Sequence, residues 1–198
     1  MSQENRNVYS GLSNAAWGYF FLHFDFNLNS VSIFPRFVGW LLLLSACEKL
    51  SGERRDLALL RPLTVLLAAW HALDWLLSWG GGNVNGHILF LDLILAVAGL
   101  YFHFQFLTDM AALAEQYQPE GAGLDEKLRR RRTVYVMLIT LVALLGDLGL
   151  LVELPEHWGE WVAMGMLLTA LFAAFLIMAA LFRLRRFFRE EKTEQPVI

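Results

Sequence analysis

Four stretches of this chain, at about 62–79, 88–108, 134–152 and 161–182, are apolar almost without interruption. Each approaches the roughly 20 residues that a helix needs to cross about 30 Å of hydrocarbon. Backbone inside a bilayer must satisfy its own hydrogen bonds, and only helices and closed barrels do so. These runs therefore constrain the fold more than any other feature. Composition agrees: 57% of residues are apolar and 18% charged, with a mean hydropathy of +0.45. Soluble domains carry about 25% charge. Disorder, collagen and coiled coil are excluded. The single Cys47 excludes an intrachain disulfide framework and a cysteine-based zinc site.

A fifth apolar region, 15–47, is interrupted by Asn27-Leu28-Asn29-Ser30-Val31-Ser32, shortly before Pro35. Asn, Ser and Pro together mark a turn. Each half is short for a span, so the preferred reading is two short helices, about 15–28 and 33–48, joined tightly. A re-entrant pair is the alternative. The expected fold is an all-α integral membrane protein, one domain over 1–198, with six transmembrane helices arranged as three hairpins. The N-terminus has neither a basic n-region nor an A-x-A site, so the first helix is expected to act as its own insertion signal.

Charge sets the expected orientation. Lys49, Arg54, Arg55 and Arg61 occupy one loop, Lys127 and Arg129 to Arg132 another, and Arg183, Arg185, Arg186, Arg189 and Lys192 the tail. Loop 80–87 has no basic residue, and loop 153–160 has only Glu153, Glu156, His157 and Glu160 as charged or titratable groups. By the positive-inside rule this alternation puts both termini in the cytoplasm of a bacterial inner membrane. Arg36 is the one basic residue left outside. Trp75, Trp79, Trp158 and Trp161 fall at the outer ends, where an aromatic belt belongs. Three helices are expected to pass the membrane boundary. One runs on through 109–118 to Pro119. The next starts near Leu124, with Asp125 four residues before Arg129 and Glu126 four before Arg130. The last extends to about Glu190.

Ionisable residues inside spans are expensive and face the bundle interior or water. Here they are Asp25, Asp74, Asp92 and Asp147, with His23, His71 and His103. At about 1.5 Å per residue the four Asp lie roughly 3–8 Å below the outer apolar boundary. His71 and Asp74 share a helix face. Asp74 and Asp92 stand on consecutive helices joined by a short loop, which predicts antiparallel neighbours. Two readings follow. In one, Asp25, Asp74, Asp92 and Asp147, with His71 and Arg36, form an outward-facing cluster that binds or transports a cation, a proton or a small cationic solute. In the other, each Asp bonds interfacial water or a neighbouring Trp, Asn or Arg, and the chain is a structural or partner-binding membrane subunit.

His-x-x-Asp is too common a spacing to assign a metal, and neither metal nor cofactor is expected. His103 reads as an interfacial or packing histidine. Arg129, Arg130, Arg131 and Arg132 read as a stop signal that fixes topology and as a contact for anionic lipid headgroups, two compatible roles. Nucleic acid is excluded as a partner, since the run is juxtamembrane and no aromatic platform accompanies it. Gly18, Gly39, Gly146 and Gly149 offer close helix approaches, as do Gly165, Ala170, Ala173 and Ala174 on the last helix. That helix also offers a homodimer face, or a face for an unidentified membrane partner. Walker A, His-Glu-x-x-His, Gly-x-Ser-x-Gly and Glu-Glu-x-x-x-Arg patterns are missing. No catalytic residue is assigned, and enzyme activity is not expected.

The stretch Phe24-Asp25-Phe26 through Ile33-Phe34-Pro35-Arg36-Phe37-Val38-Gly39-Trp40 resembles a motif of an uncharacterised family of small multi-pass membrane proteins of Firmicutes. That motif runs Asp, a polar turn, then Ile-Leu-Pro-Asp-Phe-x-Gly-Tyr. Asp25, Pro35, Phe37 and Gly39 match. Arg36 stands where the motif has an acidic residue, and Trp40 replaces Tyr. The resemblance covers under a tenth of the chain. It implies a multi-pass membrane fold and a bacterial host, and no activity.

Overall fold

The computed structural model describes residues 3–24, 27–28, 31–32, 35–80, 82, 89–146 and 156–190. It is helical throughout, apart from a two-residue antiparallel ladder. The helices are α1 (Gln3–His23), α2 (Arg36–Leu50), the single turn α3 (Asp56–Leu59), α4 (Arg61–Ser78), α5 (Leu89–Tyr117), α6 (Leu124–Gly146) and α7 (Glu156–Glu190). The ladder pairs β1 (Asn27–Leu28) with β2 (Val31–Ser32) at the break between α1 and α2. Three helical stretches are long and apolar enough to cross a membrane: Asp56–Ser78, Phe90–Tyr117 and Met164–Phe188.

α1 corrects the expected boundary. It begins at Gln3, well before residue 15, and ends at His23. Its early turns are polar in composition, yet Val8, Leu12, Ala15, Ala16 and Tyr19 are buried. Their spacing places them on one face of a helix. α5 continues to Tyr117 and α6 starts at Leu124, so both extensions are as expected. The turn between them uses two glycines at positive φ, Gly121 and Gly123, a conformation glycine adopts without steric cost. Gln118 caps α6 from outside it: its Oε1 accepts the Leu124 N–H at 2.7 Å and its Nε2 donates to Asp125 Oδ1 at 2.6 Å. Arg129 pairs with Glu115 across the turn and also lies within electrostatic reach of Asp125, four residues before it.

The helices form a closed ring in the order α4, α2, α1, α7, α6, α5. α1 and α2 cross where Gly18 meets Gly39, so closely that a Cβ on Gly39 would lie 2.9 Å from the Gly18 carbonyl oxygen. By contrast Gly165 has nothing within 4 Å of a Cβ position, so the close approach expected there is not made among the described residues. The middle hairpin also departs from expectation. α4 packs mainly on α2 and α5 mainly on α6, while α4 and α5 meet only marginally.

Contacts between helices collect the basic segments at one end of the ring. Lys49 donates to Ser10 at 2.9 Å, Arg185 to Ser13 at 3.1 Å and Arg61 to Ser51 at 3.0 Å. Tyr117 donates to Glu53 at 2.6 Å, tying loop 51–55 to the α5–α6 turn. The tightest packing lies toward this end. Leu50, Leu57, Phe106, Met110, Leu113, Leu128 and Leu184 are all at 0% exposure. Toward the other end Trp79, Phe90, Met137, Trp161 and Leu167 are exposed apolar side chains, a surface suited to lipid.

Candidate functional site

Polar and aromatic side chains from five helices meet in the middle of the ring. α1 contributes Tyr19 and His23, one turn apart; α2 contributes Trp40, α4 His71, α5 Phe102 and His103, and α6 Tyr135. Tyr19, Trp40, His103 and Tyr135 are buried. The Tyr19 hydroxyl and His103 Nδ1 are hydrogen-bonded at 3.1 Å. A second pair crosses from α6 to α1, with the Tyr135 hydroxyl 2.6 Å from His23 Nε2. His23 Nδ1 lies 2.9 Å from the Tyr19 carbonyl oxygen. A carbonyl can only accept, so Nδ1 carries the proton, and in neutral His23 the Nε2 lone pair receives the Tyr135 O–H. The two pairs touch through rings: His103 and Tyr135 meet edge-on at 5.2 Å and 86°, and Tyr19 and Tyr135 are 6.0 Å apart.

Trp40 extends this belt toward α4. Its ring is stacked on His71 at 6.2 Å and 8°, and lies 5.5 Å from His103. The indole Nε1 is buried and has no hydrogen-bond partner among the described residues, so an N–H donor is unmet in the middle of the belt. Toward the end of the belt away from the basic loops, Arg36 and Asp74, opposite in charge, both lie within electrostatic reach of His71, and Arg36 also reaches His23.

The structure thus brings together three of the residues expected from the sequence, Arg36, His71 and Asp74, and joins them to a histidine–tyrosine core that sequence reasoning did not assemble. Asp74 and Asp92 are both half-buried, with Asp92 in the first turn of α5, but α4 and α5 are not the close neighbours expected. Asp25 and Asp147 lie outside the described residues. Among the described residues no group of three or more His, Cys, Asp or Glu is arranged to hold a metal ion.

Asp109, where the sequence has the helix running on past the membrane boundary, is a buried residue of α5, at 1% exposure. Its carboxylate accepts from Gln105 Nε2 at 3.2 Å and lies 3.7 Å from Arg54. Burying one charge alone is costly, and this pairing offsets it. The sequence held a signal: Phe102, Phe106, Asp109, Met110 and Leu113 recur at helical spacing on one face.

The run at 129–132 divides by helix face. Arg129 is taken by Glu115. Arg132 sits over the Phe104 ring at 4.5 Å and donates to Thr108 at 2.8 Å. Of the four, only Arg130 and Arg131, joined by Lys127, line the groove between α6 and α7. No protein family, curated protein or solved structure matches the chain.

Proposed function

We propose that this is a six-span bacterial inner-membrane protein, both termini cytoplasmic, that binds and transports a proton through the belt opened by Asp74 and His71. One observation carries the reading: three histidines sit on a continuous path from the Arg36–His71–Asp74 group to the buried Tyr19, His103 and Tyr135. Among cations, small cationic solutes and protons, this path favours the proton, because imidazole is the side chain whose charge changes near neutral pH. The orientation is supported by the gathering of basic loops at one end of the ring.

Proteoliposomes containing an internal pH dye and held under an imposed potential test it. The wild type should acidify the lumen faster than empty vesicles, and His71→Gln and Asp74→Asn should each slow it at least about tenfold, a typical effect for a removed proton-transfer group. Flux equal to that of empty vesicles, or unchanged in both variants, would sink the reading. The second reading, a partner-binding membrane subunit, is favoured by the marginal α4–α5 contact and by the exposed Leu73, Leu76, Phe90, Ile94 and Val97 on those two helices.

A further inference from the structure

Between α6 and α7, at the basic end of the ring, lies a cavity of about 340 Å³ lined by Lys127, Arg130, Arg131, Val134, Ala173 and Leu176. The four α6 residues fall at i, i+3, i+4 and i+7, a single helix face. Three cations therefore stand over an apolar floor. The apolar track continues along both helices through the exposed Met137, Leu141, Phe172 and Leu168. Arg131 is fixed there: its guanidinium donates to the Leu176 carbonyl at 2.6 Å. Burial, with the Arg183 charge nearby, holds Arg131 below the usual arginine range. Lys127 and Arg130 are exposed, and no carboxylate among the described residues pairs with either. The groove therefore holds uncompensated positive charge directly above a surface that avoids water.

We infer that this groove seats an anionic glycerophospholipid, with its phosphate among Lys127, Arg130 and Arg131 and its acyl chains along Val134, Ala173 and Leu176. Charge complementarity selects the phosphate and the apolar track selects a lipid over a free anion. The inference does not depend on the proton-binding belt. It also separates two roles inside one basic run, because Arg129 and Arg132 are committed to Glu115, Phe104 and Thr108.

Native mass spectrometry of the full chain in detergent, titrated with phosphatidylglycerol, phosphatidylcholine or inorganic phosphate, tests it. Phosphatidylglycerol should be retained and phosphatidylcholine should not. Changing Lys127, Arg130 and Arg131 together to Gln should weaken phosphatidylglycerol binding roughly 100-fold, since each basic residue near a lipid surface contributes about 1 kcal/mol and 1.4 kcal/mol is tenfold. An equal charge change at the exposed Arg6, Arg55 and Arg186 should leave it within about threefold, because attraction to lipid falls off within a Debye length. Val134→Trp fills the groove at an exposed position with every charge intact, and should also weaken binding. Equal losses in the two triple variants, phosphate binding as tight as lipid, or undiminished binding in Val134→Trp would each overturn the assignment.

Discussion

Asp125 shows how one side chain records its surroundings. Its carboxylate sits below the usual range chiefly because Gln118 donates to it. A depressed folded-state pKa contributes stability that is present above the unfolded value, about 3.9 for Asp, and is lost as pH falls through the folded value. Thermal unfolding in detergent should therefore favour the wild type over Asp125→Asn at pH 7, with the gap closing as pH drops below about 4. A gap that is constant with pH would mean the Gln118 bond does not depend on charge. At this scale some chemistry could be read from spacing, such as His71 and Asp74 on one face. Tyr19 and His103 could not, because they are 84 residues apart and their side chains meet across the middle of the ring only once the helices around it are in place.

The helices themselves were mostly legible, and their ends least so. α2 and α4 lie close to where apolar runs place them, and Pro119 with Gly121 and Gly123 marked the stop of α5. The start of α1 was missed because Asn, Ser and Gly lower its mean hydropathy while leaving its buried stripe intact. Small residues carried position-specific meaning that only packing reveals. Gly39→Ala would place a Cβ 2.9 Å from a backbone oxygen, whereas Gly18→Ala meets mainly the Leu43 side chain and Gly52→Ala meets nothing within 4 Å. Overpacking typically costs about 1–3 kcal/mol, and open surface sites stay within about 0.5 kcal/mol. Unfolding measurements should rank the losses Gly39 above Gly18 above Gly52. A Gly39→Ala protein as stable as Gly52→Ala would refute the α1–α2 crossing.

For the whole molecule, alternating charge predicts six crossings and their order, of which three helical stretches among the described residues are long and apolar enough to span, and it does not say which helices touch. Loop charges alone cannot separate a row of three hairpins from a ring that brings α7 onto α1 and leaves α4 and α5 nearly apart. The ring still makes a firm statement about sidedness, because the Tyr117 bond to Glu53 ties two loops together. In a Cys47→Ala background, cysteines at Gly52 and Glu120 should behave alike and resist an impermeant thiol reagent on intact cells. A cysteine at Gly82, beyond the far end of α4, should react. Opposite behaviour of positions 52 and 120 would break the described bundle, and labelling of both with protection of 82 would invert the proposed orientation.

The seam between α1 and α7 bears on the order of assembly. Arg185 reaches Ser13 and lies over the Tyr9 ring, and Trp17 meets Phe182 edge-on at 6.0 Å. α1 is the earliest of the described helices to leave a ribosome and α7 the latest, so the earliest one waits with this flank uncovered until nearly the whole chain has been made. Contacts of such long sequence separation form late and slowly. In the interval the Ser13 hydroxyl and the Tyr9 ring have only lipid, water or the insertion machinery to face. Maturation is then governed less by how readily each segment enters the bilayer than by whether something shelters that flank until its neighbour arrives.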